Sequence, residues 1–482
     1  MSSDSPPIHD VKPDREPTRV AISGFVGTAI EYYDFFIFGT AAALVFGQAF
    51  FPSLDPLSGT LASFATFAVA FVARPLGGIL FGHFGDRLGR KSMLVISLLL
   101  MGVSTVAVGL LPGYDQIGVL APTLLVALRF LQGIGLGGEF GGAMLMIAEH
   151  APAERRGFFS SLAQLGPPVG LVLSSLTFLL LNVLMGPEAF LTWGWRIAFV
   201  SSALLVLVGM YIRLNVSESP VFKELTKRHE QVKIPLFELI RNQGWRLLLA
   251  AGPSLLSSVL FFLITTYSLS YGTKVLGVPQ TTMLLVVVAV VVINAAVTVP
   301  IGGLSDRIGR RRSILIGIIG SALWAVPMFA LVRTGDPLLM GIGFSVGIVL
   351  YTFVFAPLGA FLPELFDTRT RYTGTSVAFN IGAMLGGALA PSIATQLGVV
   401  TGNAWWVLPG YILAACIVAL LCLTFLPETR NSDLNRSLST AAAPDIIPPT
   451  VTNNNTTATI GTGSSTFNHH KTSGGSTGTR KG

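Results

Sequence analysis

The chain has 482 residues, 51% hydrophobic and only 11% charged, with 53 glycines and a formal net charge of +7, and its mean hydropathy is +0.68. That balance excludes a soluble globular protein and defines an integral membrane one. No basic face interleaved with aromatics is present, so the surplus of Lys and Arg reports membrane topology and contact with anionic lipid, and nucleic acid is excluded as a partner.

Twelve apolar runs follow one another, each long enough to cross a hydrocarbon core of about 30 Å as an α-helix. The predicted spans are 20 to 46, 59 to 82, 92 to 111, 121 to 148, 157 to 183, 193 to 213, 247 to 272, 281 to 303, 313 to 332, 337 to 360, 373 to 398 and 404 to 426. The first follows a polar leader ending in Arg19 and lacks a small-residue cleavage site, so it reads as a retained helix. Twelve spans put both termini on one side. Arg74 and Arg129 fall within spans and Arg196, Lys274 and Arg333 near the opposite face, which leaves 26 of the 31 basic residues on the side of the termini. Basic loops are retained in the cytoplasm, so the termini are expected there, in a bacterial inner membrane.

Cys416 and Cys422 share the last span in neither disulfide nor zinc-site geometry, and they read as packing residues. His83 and His150 at loop edges and His469 and His470 in the tail form no metal-ligand pair on a helix face. No metal and no cofactor is expected.

The sequence repeats itself loosely. "GHFGDRLGRK" (82 to 91), between spans two and three, returns as "GGLSDRIGRR" (302 to 311), between spans eight and nine. Glu149 and Arg156 after span four stand seven apart, as do Glu364 and Arg371 after span ten. The expected architecture is therefore all-α, twelve transmembrane helices in two pseudosymmetric six-helix bundles. Its parts are a tail over 1–19, a bundle over 20–213, a linker over 214–246, a second bundle over 247–426 and a disordered tail over 427–482, which is rich in Ser, Thr, Asn, Gly and Pro. The linker, with "SESPVFKELTKRHEQVK", reads as an amphipathic helical tether.

Two copies of G-x-x-x-D-R-x-G-R followed by Lys or Arg resemble the signature loop of the major facilitator superfamily, and the likeness extends over residues 20 to 430. With "RFLQGIGLGGE" in span four, "ARPLGG" in span two and "EYYDF" in span one, the chain looks more narrowly like the metabolite:proton symporters, which include shikimate, dicarboxylate and proline/betaine carriers. The resemblance implies the major facilitator fold, generally functional as a monomer. It also implies that the loop aspartates, Asp86 and Asp306, face the start of a helix in the other half, where the helix dipole favours a carboxylate. Asp86, Arg90, Asp306 and Arg310, with Glu149, Arg156, Glu364 and Arg371, are the candidate conformational latch. Gly85 and Gly89 allow a tight turn and close helix approach.

Glu31 and Asp34 lie one helical turn apart in the apolar first span. A carboxylate at a helix centre costs roughly 2.5 to 3.5 kcal/mol on insertion scales, so such groups face inward and are paired, protonated or wet. Their spacing puts both on one face, where mutual repulsion favours holding a proton. In span four Arg129, Gln132 and Glu139 fall within about 80° of one another. In related symporters an acid of span one and the arginine of span four form an exchanging pair, so the resemblance implies a proton-coupling pair of Asp34 with Arg129. Glu31 and Glu139 are the further candidates. Arg74, before Pro75, offers a planar donor fork to a substrate carboxylate, and Gln164 and Asn380 stand at pseudosymmetric positions in spans five and eleven. Tyr32, Gln132, Tyr267, Asn294 and Tyr351 complete the polar groups able to line a midplane cavity; Tyr271 reads rather as an interfacial anchor, and "GPPVG" (166 to 170) as a helix kink.

The function expected is secondary active transport: proton-coupled symport of a small organic acid, shikimate-like or a dicarboxylate, by alternating access. The alternatives are uptake of a zwitterionic osmolyte such as proline or betaine, against which the absence of heptads in the tail counts, export, and a nutrient receptor on a carrier scaffold, for which no signalling domain is present. No G-x-x-x-x-G-K-S/T loop is found, so ATP does not drive it, and no nucleophile with a base points to an enzyme.

Overall fold

The computed structural model describes residues 15–227 and 235–434. Among them twelve helices are long and apolar enough to span a bilayer: α1 Glu16–Leu44, α2 Leu61–Leu88, α3 Arg90–Leu110, α4 Leu120–His150, α5 Ala153–Met185, α6 Phe190–Leu214, α7 Pro235–Lys274, α8 Gln280–Ile308, α9 Arg310–Val332, α10 Pro337–Leu365, α11 Arg371–Val400 and α12 Val407–Thr424. Helices are the local answer to a solvent that cannot bond backbone N–H and C=O groups. They form two bundles of six, α1–α6 and α7–α12. The face at which α1 begins and α12 ends is the terminal face.

Where helices cross closely the sequence supplies glycine. A Cβ on Gly77 would collide with the Ile134 carbonyl, and one on Gly137 with the Arg74 carbonyl, so α2 and α4 meet backbone to backbone. Across the bundles Phe140 of α4 stacks flat on Phe379 of α11, centroids 3.5 Å apart. Inside α5 the chain restarts at Gly166, where a Cβ would strike Thr28 of α1. π-helical turns at Leu263–Tyr267 and Met384–Ala388 interrupt α7 and α11.

Several predicted boundaries move. α2 continues six residues past the predicted 82, so Asp86 lies on the helix and only Gly89, at φ 113°, turns the chain; Gly309, at φ 103°, is its twin. Residues 15–19 of the predicted first tail are helical, and α7 starts at Pro235, inside the predicted linker, with a kink at Gln243. The linker's helix Pro220–Lys227 buries Val221, Phe222 and Leu225 as an amphipathic face should; residues 228–234 lie outside the described ones. The predicted disordered tail is also corrected at its start. The carbonyls of Ser432 and Leu434 accept from Arg156 and Arg371, docking 427–434 against the terminal face because those buried guanidinium donors need acceptors. Residues 1–14 and 435–482, with His469 and His470, lie outside the described residues.

Candidate functional site

The α1 carboxylates Glu31 and Asp34 are each 1% exposed and sit in different surroundings. Asp34 is cradled by hydroxyls: Ser202 of α6 donates to its Oδ1 (2.6 Å) and Thr105 of α3 to its Oδ2 (2.9 Å). Thr105 Oγ1 in turn accepts from Gln132 Nε2 (2.8 Å), and Gln132 Oε1 accepts from Arg129 Nη1 (3.0 Å). The expected direct pair of Asp34 with Arg129 is therefore corrected to a relay, Asp34–Thr105–Gln132–Arg129. The Arg129 guanidinium lies instead over the rings of Phe38 (4.1 Å), Phe67 (4.8 Å) and Phe35 (4.9 Å), where ring faces attract a cation. Its Nε and Nη2 have no hydrogen-bond partner among the described residues.

Glu31 faces Glu139 of α4 across a cation that the positional count had assigned to the terminal surface. Arg213, near the end of α6, is only 4% exposed. Its Nη2 pairs with Glu139 and reaches Glu31 at 3.5 Å, and its Nη1 donates to the Leu94 carbonyl. Arg213 thus joins Arg74 and Arg129 as an arginine buried within a span of the first bundle. A readable signal existed: Ser202, Val206, Gly209 and Arg213 repeat at helical spacing and all are buried. It was masked because Arg213 ends an apolar run, where basic residues ordinarily mark topology.

Arg74 and Asn380 come together across the bundles. Arg74 Nε donates to Asn380 Oδ1 (3.1 Å), while Asn380 Nδ2 donates to the Gly137 carbonyl of α4 (2.7 Å). Gln164 Nε2 donates to the Ala356 carbonyl of α10 (3.2 Å), and its Oε1 is unpartnered. Asn294 donates to Thr352 (2.8 Å), and Tyr351 stacks on Phe355 with centroids 5.2 Å apart. Tyr32 packs edge-on against Phe35. Tyr267 stacks on Tyr271 (5.7 Å) in a separate pocket with Arg333, Asn403 and Trp405, close to where α7 and α11 leave the opposite face. Cys416 is buried, and Cys422 packs against Gly252 of α7.

The candidate latch residues all meet at the terminal face. Asp86 accepts from the first N–H groups of α11, Tyr372 N (3.1 Å) and Thr373 N (3.0 Å), and from Thr373 Oγ1 (2.8 Å). Asp306 accepts from Gly157 N and Phe158 N of α5, both at 2.8 Å, and pairs with Arg310 at 2.6 Å. Arg90 lies 3.8 Å from Asp86 and 3.6 Å from Glu149. The two seven-residue echoes exchange partners between halves: Glu149 pairs with Arg371 (3.4 Å) and Glu364 with Arg156 (3.6 Å). Two further carboxylates escaped sequence reasoning. Glu218 accepts from the backbone N–H of Arg90 and Lys91 at 3.2 Å, and Glu428 from those of Arg310 (2.9 Å) and Arg311 (3.1 Å), capping α3 and α9. Ser219 bonds Glu149, and Thr429 bonds Glu364 at 2.7 Å. The signal was the echo of Glu-Ser-Pro after span six in Glu-Thr after span twelve.

Two bundles around buried charges, clasped at one face by helix-capping carboxylates, are the architecture of a membrane carrier. Residues 24–377 match the Major Facilitator Superfamily, as do residues 273–454 in a second alignment, and the chain belongs to that family. It is similar to the inner membrane metabolite transport protein YhjE of Escherichia coli (strain K12), 44% identical over 88% of this chain and 97% of that one. The shikimate transporter of the same organism is 36% identical over 86% of this chain and 95% of its own. Among solved structures the proton:xylose symporter XylE, bound to a bromo-deoxyglucose, superposes with a TM-score of 0.71 at 19% identity, covering 88% of this chain and 99% of that one. This chain is a multi-pass membrane transporter of that superfamily.

Proposed function

We propose that the protein couples the entry of a small organic acid to that of protons, acting as a monomer with both termini in the cytoplasm. The observation that carries this reading is the relay from Asp34 to Arg129. Thr105 has one hydroxyl proton and two acceptors in reach, Asp34 Oδ2 (2.9 Å) and the Met101 carbonyl (3.0 Å). With Asp34 ionised the hydroxyl is held toward the carboxylate; with Asp34 protonated it is free to turn to Met101 and leave Gln132 and Arg129 to a new partner. The two unpartnered donors of Arg129 match a carboxylate's geometry, and Arg74, held by Asn380 at the bundle interface, offers a second cation. Similarity to a shikimate transporter supports a hydroxylated carboxylic acid as cargo. The excess of Lys and Arg at the terminal face supports its cytoplasmic placement, and closed latches there correspond to the state shut toward the cytoplasm.

Alternating access follows from charge balance. A protonated Asp34 and an arginine engaged by substrate leave no unpaired charge to desolvate as the bundles rock, whereas either event alone does. The test is uptake into proteoliposomes of labelled shikimate, 2-oxoglutarate, proline and betaine, with and without an inward proton gradient. One acid is expected to accumulate only with the gradient, and Asp34→Asn to keep exchange while losing accumulation. Accumulation by Asp34→Asn equal to that of the unaltered protein would refute the assignment of Asp34.

A further inference from the structure

The relay uses one of the two buried carboxylates on α1 and leaves the other unexplained. Glu31 and Glu139, each 1% exposed, share the single guanidinium of Arg213, and among the described residues no second cation pairs with either. Two carboxylates and one cation leave a surplus negative charge among buried side chains. Glu31 Oε2 is buried and has no hydrogen-bond partner among the described residues, and an unpartnered buried oxygen of this kind costs less in a neutral carboxyl group than in a carboxylate. The surroundings are built for this cluster. Gly27 of α1 lacks a Cβ where the guanidinium lies, and Ser97 of α3 approaches Glu139 Oε2 at 3.4 Å.

A narrow cleft leads to the cluster from the terminal face. It runs between α1, α3, α4 and α6, with Ser23 and Gly24 on one wall and Ala143 and Met146 on another, and Arg213 is part of its lining. Lys91 stands at its mouth with Nζ bonded to the Leu214 carbonyl (2.7 Å). The cleft lies within the first bundle and exists while both latches between the bundles are closed. The charged and titratable groups facing the cluster are Asp34 one turn along α1, Lys91 from α3, and Tyr372 from α11, whose hydroxyl donates to the Gly138 carbonyl beside Glu139 (3.0 Å).

We propose that Glu31, Glu139 and Arg213 form a second proton-holding site that discharges to the terminal face through this cleft, with the Arg213 guanidinium as its gate. The proton leaves the Glu31 carboxyl group for a water molecule in the cleft, and Arg213, already within reach of both carboxylates, moves closer to Glu31 as the new negative charge appears. While Arg213 stays bound to Glu139 it stands between the cleft and the Glu31 proton, which prevents a leak before substrate moves. Tyr372 is the positioning residue: its backbone N–H is held by Asp86, so release of that latch also withdraws the ring from beside Glu139. The site rests on the proton-coupled reading above but differs from the Asp34 relay in residues, helix pair and exit.

The experiment combines infrared spectroscopy of the purified transporter with proton release from proteoliposomes followed by a pH-sensitive dye. A carboxylic acid C=O band is expected in the unaltered protein and its loss in Glu31→Gln, with the band retained in Asp34→Asn when that variant is examined in the latched state. Ser23→Leu fills the cleft outside the charged cluster. It is expected to slow substrate-driven proton release several-fold while leaving substrate counterflow, which needs no net proton movement, as it was. An infrared spectrum unchanged by Glu31→Gln would overturn the storage site, and unaltered proton release in Ser23→Leu would overturn the exit. If Ser23→Leu does not fold, Ala143→Leu fills the same cleft from α4 and is read in the same way. Absence of substrate-driven proton flux in the unaltered protein would instead sink the symport reading, while the band would still report the protonated carboxyl group.

Discussion

Replacing Asp86 by Asn tests the clasp between bundles at its best-defined point. The carboxylate accepts three hydrogen bonds from the first turn of α11, two from backbone N–H groups. Asn keeps one acceptor oxygen but turns a donor toward one of these groups, and it removes the charge facing the positive end of the helix. Hydrogen bonds to charged groups contribute about 1.5 to 3 kcal/mol each, and charge at a helix terminus about 0.3 to 2 kcal/mol. Water restores part of this when the latch opens, so a net loss of about 2 kcal/mol from the closed state is expected, raising the open population about 30-fold. Ser376 reports on it. This residue of α11 is fully buried against Gly141 of α4 and becomes accessible only if the bundles part at the terminal face. In a Cys416→Ser, Cys422→Ser background, Ser376→Cys should react with a maleimide added from that face about 30-fold faster once Asp86→Asn is introduced. A rate within twofold of the Asp86 parent would mean that these three bonds do not hold the closed state, and the reasoning from cap geometry would fail.

Asp306→Asn breaks the twin contact on α5 and is expected to speed the same labelling, with the double variant departing from the product of the two rates only insofar as the latches share the open state. Glu428→Gln removes charge from the cap of α9 without touching the other bundle; at about 1 kcal/mol for a lost cap it should accelerate labelling by no more than about fivefold, which kinetic labelling with the same reporter will resolve. Gly77→Ala has a different consequence, since its methyl group meets backbone of α4 that cannot rotate aside. Overpacking of this kind costs about 1 to 3 kcal/mol or more, so a thermal unfolding midpoint several degrees lower in detergent is expected, and an unchanged midpoint would show that α2 and α4 can separate freely.

The residues differ in how openly they announced their roles. Asp86 and Asp306 could be assigned to a helix start in the opposite half because a repeated motif carried them, and repetition survives in a linear string. Glu149 and Arg156 were visible as a pair with Glu364 and Arg371, but their spacing concealed that each glutamate bonds the arginine of the other repeat. Glu218 and Glu428 were hidden among residues of a linker and a tail, where carboxylates are ordinary. Arg213 was misread most fully. A single arginine at the end of an apolar run satisfies the topology rule and the burial rule equally well, and only the position of α6 against α1 and α4 chooses between them.

By itself the sequence determined that the chain spans a membrane twelve times in two related halves, since hydrocarbon thickness and backbone bonding act on each segment locally. It also placed Glu31, Asp34, Arg129 and Glu139 on inward faces, because helical periodicity is a property of one helix. Which charge meets which was decided by tertiary structure alone. Pairing inside a low-dielectric bundle turns on differences of a few ångströms in axial offset and rotation between helices. Those differences sent Asp34 to two hydroxyls, Arg129 to three aromatic rings, and Arg213 to a place between Glu31 and Glu139.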